Sequence, residues 1–119
     1  MMVKIRITDR VLKWLGACRR EVEDFVERHP RGLMLSSRNA IKCAREGFDL
    51  WYFIDALTEK LFFKPTQEKI LLDKRKLDKR CPCTPKGDDQ YTGGCISILL
   101  REIKAGNLNK RGRQLLLGE

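Results

Sequence analysis

The stretch DLWYFIDALTEKLFF, residues 49–63, is the most apolar in the chain and decides how the rest must pack. Asp49 is a residue type that caps a helix N-terminus, because its carboxylate accepts from backbone N–H groups left open in the first turn. Leu50, Trp51, Ile54, Leu57 and Leu61 then recur at helical spacing as one stripe, which Phe53 and Phe62 widen. The spacing predicts the central core helix, with Trp51 and Ile54 inside. Yet it carries more large apolar groups than one face can bury. Tyr52, Phe53 and Phe63 point around other sides, so either the helix is enclosed or part of it is a patch for a partner protein or a homodimer. Tyr52 and Phe63 are the candidates for that patch.

Toward the N-terminus, Val3, Ile5 and Ile7 alternate with Lys4 and Arg6, the period of a short half-buried strand. Thr8 and Asp9 read as a helix start, Val11, Leu12 and Leu15 as its stripe, and Gly16 as the point where it ends or bends. A second helix covers residues 18–29, with Cys18, Val22, Phe25 and Val26 inward, and Pro30 and Gly32 stop it. "LML" at residues 33–35 can pair with the first strand as a two-stranded ribbon. Ser36 or Ser37 caps a third helix that buries Ala40, Ile41 and Ala44 and ends at Gly47.

Beyond residue 63, Pro65 breaks the pattern and Thr66 opens a fifth helix over about 67–79. Ile70, Leu71 and Leu77 face in, while Lys69, Lys74, Arg75, Lys76, Lys79 and Arg80 project out. The segment "CPCTPKGDDQYTGGC", residues 81–95, reads as a loop of prolines, glycines and three cysteines. "CISILLREIKAG" reads as helix or strand, with helix favoured and Gly106 closing it. The tail forms a last short helix with Leu115 and Leu116 inward. The fold class is therefore mainly α: a small single domain over 1–119 with a short N-terminal two-stranded β-ribbon. Its helical half is 1–63, and its basic half, 64–119, carries the Cys/Gly/Pro loop.

A chain of 119 residues with 42% hydrophobic and 34% charged residues is long enough to bury a core without disulfides or metal. No run approaches a membrane span, and the start lacks a secretory h-region, so a cytoplasmic protein with reduced cysteines is expected. The net charge is +9, but residues 60–119 hold fourteen Lys/Arg against seven Asp/Glu, a local balance of +7. Such asymmetry gives one face that attracts anions, nucleic acid being the commonest.

Catalysis finds little support. The single histidine, His29, ends a charged helix, and the negative pole of the helix dipole is a favourable place for positive charge. No Ser or Cys has a recognisable base, and no Gly-rich phosphate loop is present. For zinc, Cys81, Cys83 and Cys95 are the candidates, but they are three ligands with a CxC spacing instead of the usual pairs. No cofactor is favoured, with zinc as the minority alternative. Cys18 and Cys43 fall on apolar helix faces, where cysteine is a small core hydrophobe. The helix–turn–helix pattern over 36–57 would put Asp49 and Asp55 on its recognition helix, where they repel phosphate. The residues left to grip a partner or a phosphate backbone are Lys74, Arg75, Lys76, Lys79, Arg80, Lys110, Arg111 and Arg113.

The stretch from Ile7 to Leu57 resembles a small helical segment of phage and prophage accessory proteins. Its marks are "LGAC" at Leu15–Cys18, then Phe25, and Pro30 with Gly32. The resemblance carries no catalytic residues. It implies a genomic setting and not a mechanism: small accessory proteins, acting in the host cytoplasm, that often work by binding host machinery, the phage inhibitors of CRISPR and other defence systems being one such class. At +9 the chain cannot act as an acidic DNA mimic. The leading expectation is a protein that docks on and blocks or modifies a host nucleic-acid-handling complex. The alternative is direct, charge-led DNA or RNA binding.

Overall fold

In the computed structural model of the chain, residues 5–80 and 88–118 are described, with backbone only for 78–80 and 88–90. The described residues form seven helices and one small sheet. Strand β1 (Arg6–Ile7) pairs antiparallel with β2 (Leu33–Met34), Arg6 opposite Met34 and Ile7 opposite Leu33. The expected ribbon is thus present, and Leu35 N–H extends it by donating to the Ile5 carbonyl at 2.7 Å. The period of two is obeyed: Ile5 and Ile7 are buried and Arg6 is exposed.

Helices α1 (Asp9–Trp14) and α2 (Arg19–Arg28) lie between the two strands and bury Val11, Val22 and Phe25. Cys18 and Val26 depart from expectation, because both are exposed. Cys18 is the N-cap of α2 with extended backbone, so it stands outside the helical period. Val26 lies about 100° round the helix from Phe25, beyond the covered face. Helix α3 (Ser37–Arg45) is capped by Ser36, whose Oγ accepts from Asn39 N–H at 3.1 Å. Helix α4 (Leu50–Leu61) is capped by Asp49, which accepts from Tyr52 N–H at 3.0 Å.

Helix α5 (Lys64–Arg80) begins one turn earlier than expected and contains Pro65. First-turn N–H groups have no intrahelical acceptor, so a proline there costs no hydrogen bond. Ile70 is fully buried, but Leu71 and Leu72 are 48% and 53% exposed, a correction to the inward placement of Leu71.

The largest correction concerns the C-terminal part of the expected loop. Helix α6 (Asp88–Lys104) already includes Gly93, Gly94 and Cys95. These glycines serve packing. A Cβ on Gly94 would come within 2.6 Å of the Leu77 side chain of α5, and Gly93 faces Ile41 and Ser37 of α3. Ser37 Oγ donates to the Gly93 carbonyl at 2.8 Å, which fastens α3 to α6. Helix α6 therefore packs against α3, α4 and α5 and shares the centre with α4. Its Cys95, Ile96, Leu99 and Ile103 meet Ile54, Leu57, Leu61 and Ile70 in one core. Each fully buried aliphatic side chain there stabilises the fold by about 1.5–3 kcal/mol.

The chain closes with α7 (Lys110–Gly112), which continues into a π-helical turn over Arg113–Leu117 and buries Leu116. None of the helices among the described residues is long and apolar enough to cross a membrane.

Candidate functional site

The structure divides the basic residues singled out in the sequence. Lys74 does not project freely: its ammonium donates to Asp55 of α4 at 2.8 Å and its side chain is mostly buried, so it links two helices. Arg75 and Lys76 are exposed on α5. Lys79 and Arg80 lie on the same helix, but their side chains are outside the described residues, as are Cys81 and Cys83. Cys95 is buried in the core. Lys110, Arg111 and Arg113 are exposed on the C-terminal turn.

That turn is fixed to the end of α4. Asn109 N–H donates to the Leu61 carbonyl at 2.9 Å, and Asn109 Nδ2 donates to the Lys60 carbonyl at 3.0 Å. Phe62 and Leu108 add an isolated antiparallel bridge. Gly112 permits the approach, since a Cβ there would sit 2.5 Å from the Leu61 carbonyl oxygen. The Asn109 side chain also accepts from Gly112 N–H at 2.8 Å, which sets the direction of the turn.

This anchoring carries Arg111 to Trp14 at the end of α1. The Arg111 guanidinium lies 5.6 Å from the Trp14 ring centroid, and Lys60 Nζ lies 5.8 Å from it. Each such cation–π contact is worth about 0.5–1 kcal/mol at an exposed site. The two charges are therefore no more than about 11 Å apart, close to one Debye length at 0.1 M salt. Lys60 Nζ also donates to the Leu15 carbonyl at 3.3 Å, at the negative end of α1. A carbonyl does not neutralise the ammonium. Lys60, Lys110, Arg111 and Arg113 form no ion pair among the described residues, whereas Lys13, Lys69, Lys74 and Arg101 each do. The corner around Trp14 is thus a concentration of uncompensated positive charge beside a partly exposed indole.

Trp14 and Lys60 were not among the residues chosen from the sequence. The available signal was that Trp14 stands off the Val11–Leu12–Leu15 stripe, on the solvent side of α1. Tyr52, which was chosen, is partly exposed at its ring, but its hydroxyl donates to the Leu15 carbonyl at 2.9 Å beside the same corner. Phe63 is half exposed at the start of α5. Trp51 was expected in the core and is 51% exposed. It packs on Tyr91 of α6 with ring centroids 5.0 Å apart, a contact that leaves about half of the residue uncovered.

An apolar cavity of about 70 Å³ lies between the ribbon and α2–α4, lined by residues such as Phe25, Leu33, Cys43 and Phe53. Its polar lining groups are already engaged. Glu21 accepts from Asp49 N–H, Asp49 and Ser36 cap helices, and Asn39 donates to the Met34 carbonyl. Burial, and next the negative charge of Glu46, push the Cys43 thiol up to about 11, so it stays protonated at neutral pH. No family model matches the chain, and no curated protein and no solved structure matches it.

Proposed function

We propose that this chain is a non-catalytic binding protein that holds nucleic acid by charge and stacking at the corner formed by Trp14, Lys60, Arg111 and the neighbouring Lys110 and Arg113. The observation that carries this reading is the pair of uncompensated cations gathered on one partly exposed indole. Phosphate would relieve their mutual repulsion, and an indole offers a stacking surface to any base. Arg75 and Lys76, exposed on α5, add two further cations. The arrangement contains no bidentate set aimed at a base edge, so the binding is led by charge and shape and is not sequence-specific. The test is fluorescence anisotropy of a labelled single-stranded oligonucleotide with the full chain across a salt series. Binding that weakens steeply with salt supports the reading, and no binding at 50 mM salt overturns it.

A second reading rests on a different observation. The exposed Trp51, backed by the half-buried Tyr91, and the exposed Leu71 and Leu72 on α5 offer aromatic and aliphatic area of the kind that anchors protein interfaces. Together with the resemblance to phage accessory proteins, it supports an inhibitor, anti-CRISPR or otherwise anti-defence, that docks in the cytoplasm on a host nucleoprotein complex. In that case the basic corner would contact the nucleic acid of the complex. Substitution of Trp51 by Ser would then remove capture of the complex and leave affinity for bare oligonucleotide unchanged.

A further inference from the structure

His29, Cys43 and Glu46 meet where α2 and α3 end. His29 is the C-cap of α2, Glu46 the C-cap of α3, and Cys43 lies one turn earlier on α3. One ligand-type atom from each lies within 4.8 Å of the other two. His29 Nε2 is 3.1 Å from Glu46 Oε1, and the imidazole side chain is only 9% exposed. The carboxylate is oriented from outside, because Arg28 Nη1 holds its other oxygen at 3.6 Å. Phe25 walls the site, with its ring 5.3 Å from His29 and 5.9 Å from Phe48.

We propose that His29 Nε2, Cys43 Sγ and a Glu46 carboxylate oxygen form a zinc-binding site whose fourth position is open to water or an added ligand. The donor chemistry selects the metal. A thiolate with an imidazole and one carboxylate suits zinc, whereas magnesium and calcium want oxygen donors throughout. Zinc bonds of about 2.0–2.3 Å place tetrahedral ligands roughly 3.3–3.7 Å apart, so side-chain adjustments of about 1 Å close the set. Two helix C-termini end at the cluster, and their partial negative charge favours a cation there. The Arg28 contact and the phenylalanine wall supply the outer shell that orients such ligands and limits solvent. On binding, the Cys43 S–H gives its proton to solvent and a sulfur–zinc bond forms, with no change of oxidation state.

This assignment is independent of the nucleic-acid corner and is tested on the full chain under a thiol reductant. His29 is the only histidine, so its ring resonances in a proton–carbon NMR spectrum need no further assignment. They are expected to shift and saturate at one equivalent of zinc. Cobalt in place of zinc should give a thiolate charge-transfer band that persists in the Cys81→Ser/Cys83→Ser variant and vanishes in Cys43→Ser. Glu46→Gln should weaken binding by more than the ~10–100-fold that outer-shell changes cost. A histidine spectrum unmoved by excess zinc overturns the proposal. So does a cobalt band that survives Cys43→Ser, which would put the metal on other cysteines. The histidine titration uses the unaltered chain and does not depend on any variant folding.

Discussion

Replacing Arg111 by Gln should reduce both the affinity for nucleic acid and its dependence on salt. Lys60 and Arg111 stand over Trp14, and the exposed Lys110 and Arg113 lie on the same short turn as Arg111, which brings the set to four cations without an ion pair among the described residues. If each neutralises one phosphate, log K falls with log salt at a slope of about −2.8 on a single strand and about −3.6 on a duplex. Between 50 and 200 mM salt the single-strand affinity then drops about 50-fold. With Arg111 gone the slope becomes about −2.1 and the same drop is about 18-fold. The lost charge-assisted contact itself costs about 1.5 kcal/mol or more, on the order of tenfold in affinity. Arg111 is exposed, so the loss of stability should not exceed the about 0.5–1 kcal/mol of its contact with Trp14, read as a small fall in melting temperature. Trp14→Leu separates stacking from charge: it should weaken binding by about 1–3 kcal/mol and largely retain the slope. The assay is anisotropy of a labelled oligonucleotide at five or more salt concentrations. A wild-type slope near zero, or an Arg111→Gln slope equal to wild type, refutes the assignment of this corner.

Four further outcomes follow from other parts of the structure. Reversing Arg75 and Lys76 to Glu should lower affinity sharply at 50 mM salt without altering the helical circular dichroism; unchanged binding would remove the basic face of α5 from the interface. Gly112→Ala forces a Cβ toward the Leu61 carbonyl and should cost about 1–3 kcal/mol, seen as a lower melting temperature together with weaker oligonucleotide binding. With its thiol pushed up to about 11, Cys43 is about 0.1% thiolate at pH 8 and should alkylate on the order of 10²-fold more slowly than an unperturbed cysteine peptide; mass spectrometry of iodoacetamide-treated protein reads this directly. Glu102 is buried and its Oε1 lies 3.1 Å from Lys69 Nζ, an ion-pair contact without hydrogen-bond alignment. Lys69→Met should therefore destabilise by about 1–3 kcal/mol in urea unfolding, and adding Glu102→Gln should recover part of the loss.

Local signals in the sequence were read successfully where the chain's own neighbours decide the structure. The Ser36 and Asp49 caps, the alternation through Ile7 and the ends at Gly16, Gly47 and Gly106 all follow from side chains a few residues apart. Periodicity failed where the deciding partner is remote. Trp51 has core spacing, but whether anything covers it depends on where α6 lies, and Tyr91 meets only part of its ring. Gly93 and Gly94 read as a turn, yet a flat helix face is what α3 and α5 need from α6. Half of the candidate site was visible for the same reason. A basic tail is evident in any listing of charges, but its docking onto Trp14 depends on Asn109 and Gly112 binding the end of α4. Lys74 shows the converse, since its charge is counted in the sequence and neutralised by Asp55 in the fold.

The most direct test is capture of the tagged full chain from bacterial lysate, divided into nuclease-treated and untreated halves. Direct binding at the Trp14 corner predicts nucleic acid in the untreated half that disappears, with its associated proteins, after nuclease, and that is absent from Trp14→Leu/Arg111→Gln captures. A discrete protein retained after nuclease, with no nucleic acid in either half, would contradict it and place the interaction on the exposed Trp51 surface instead.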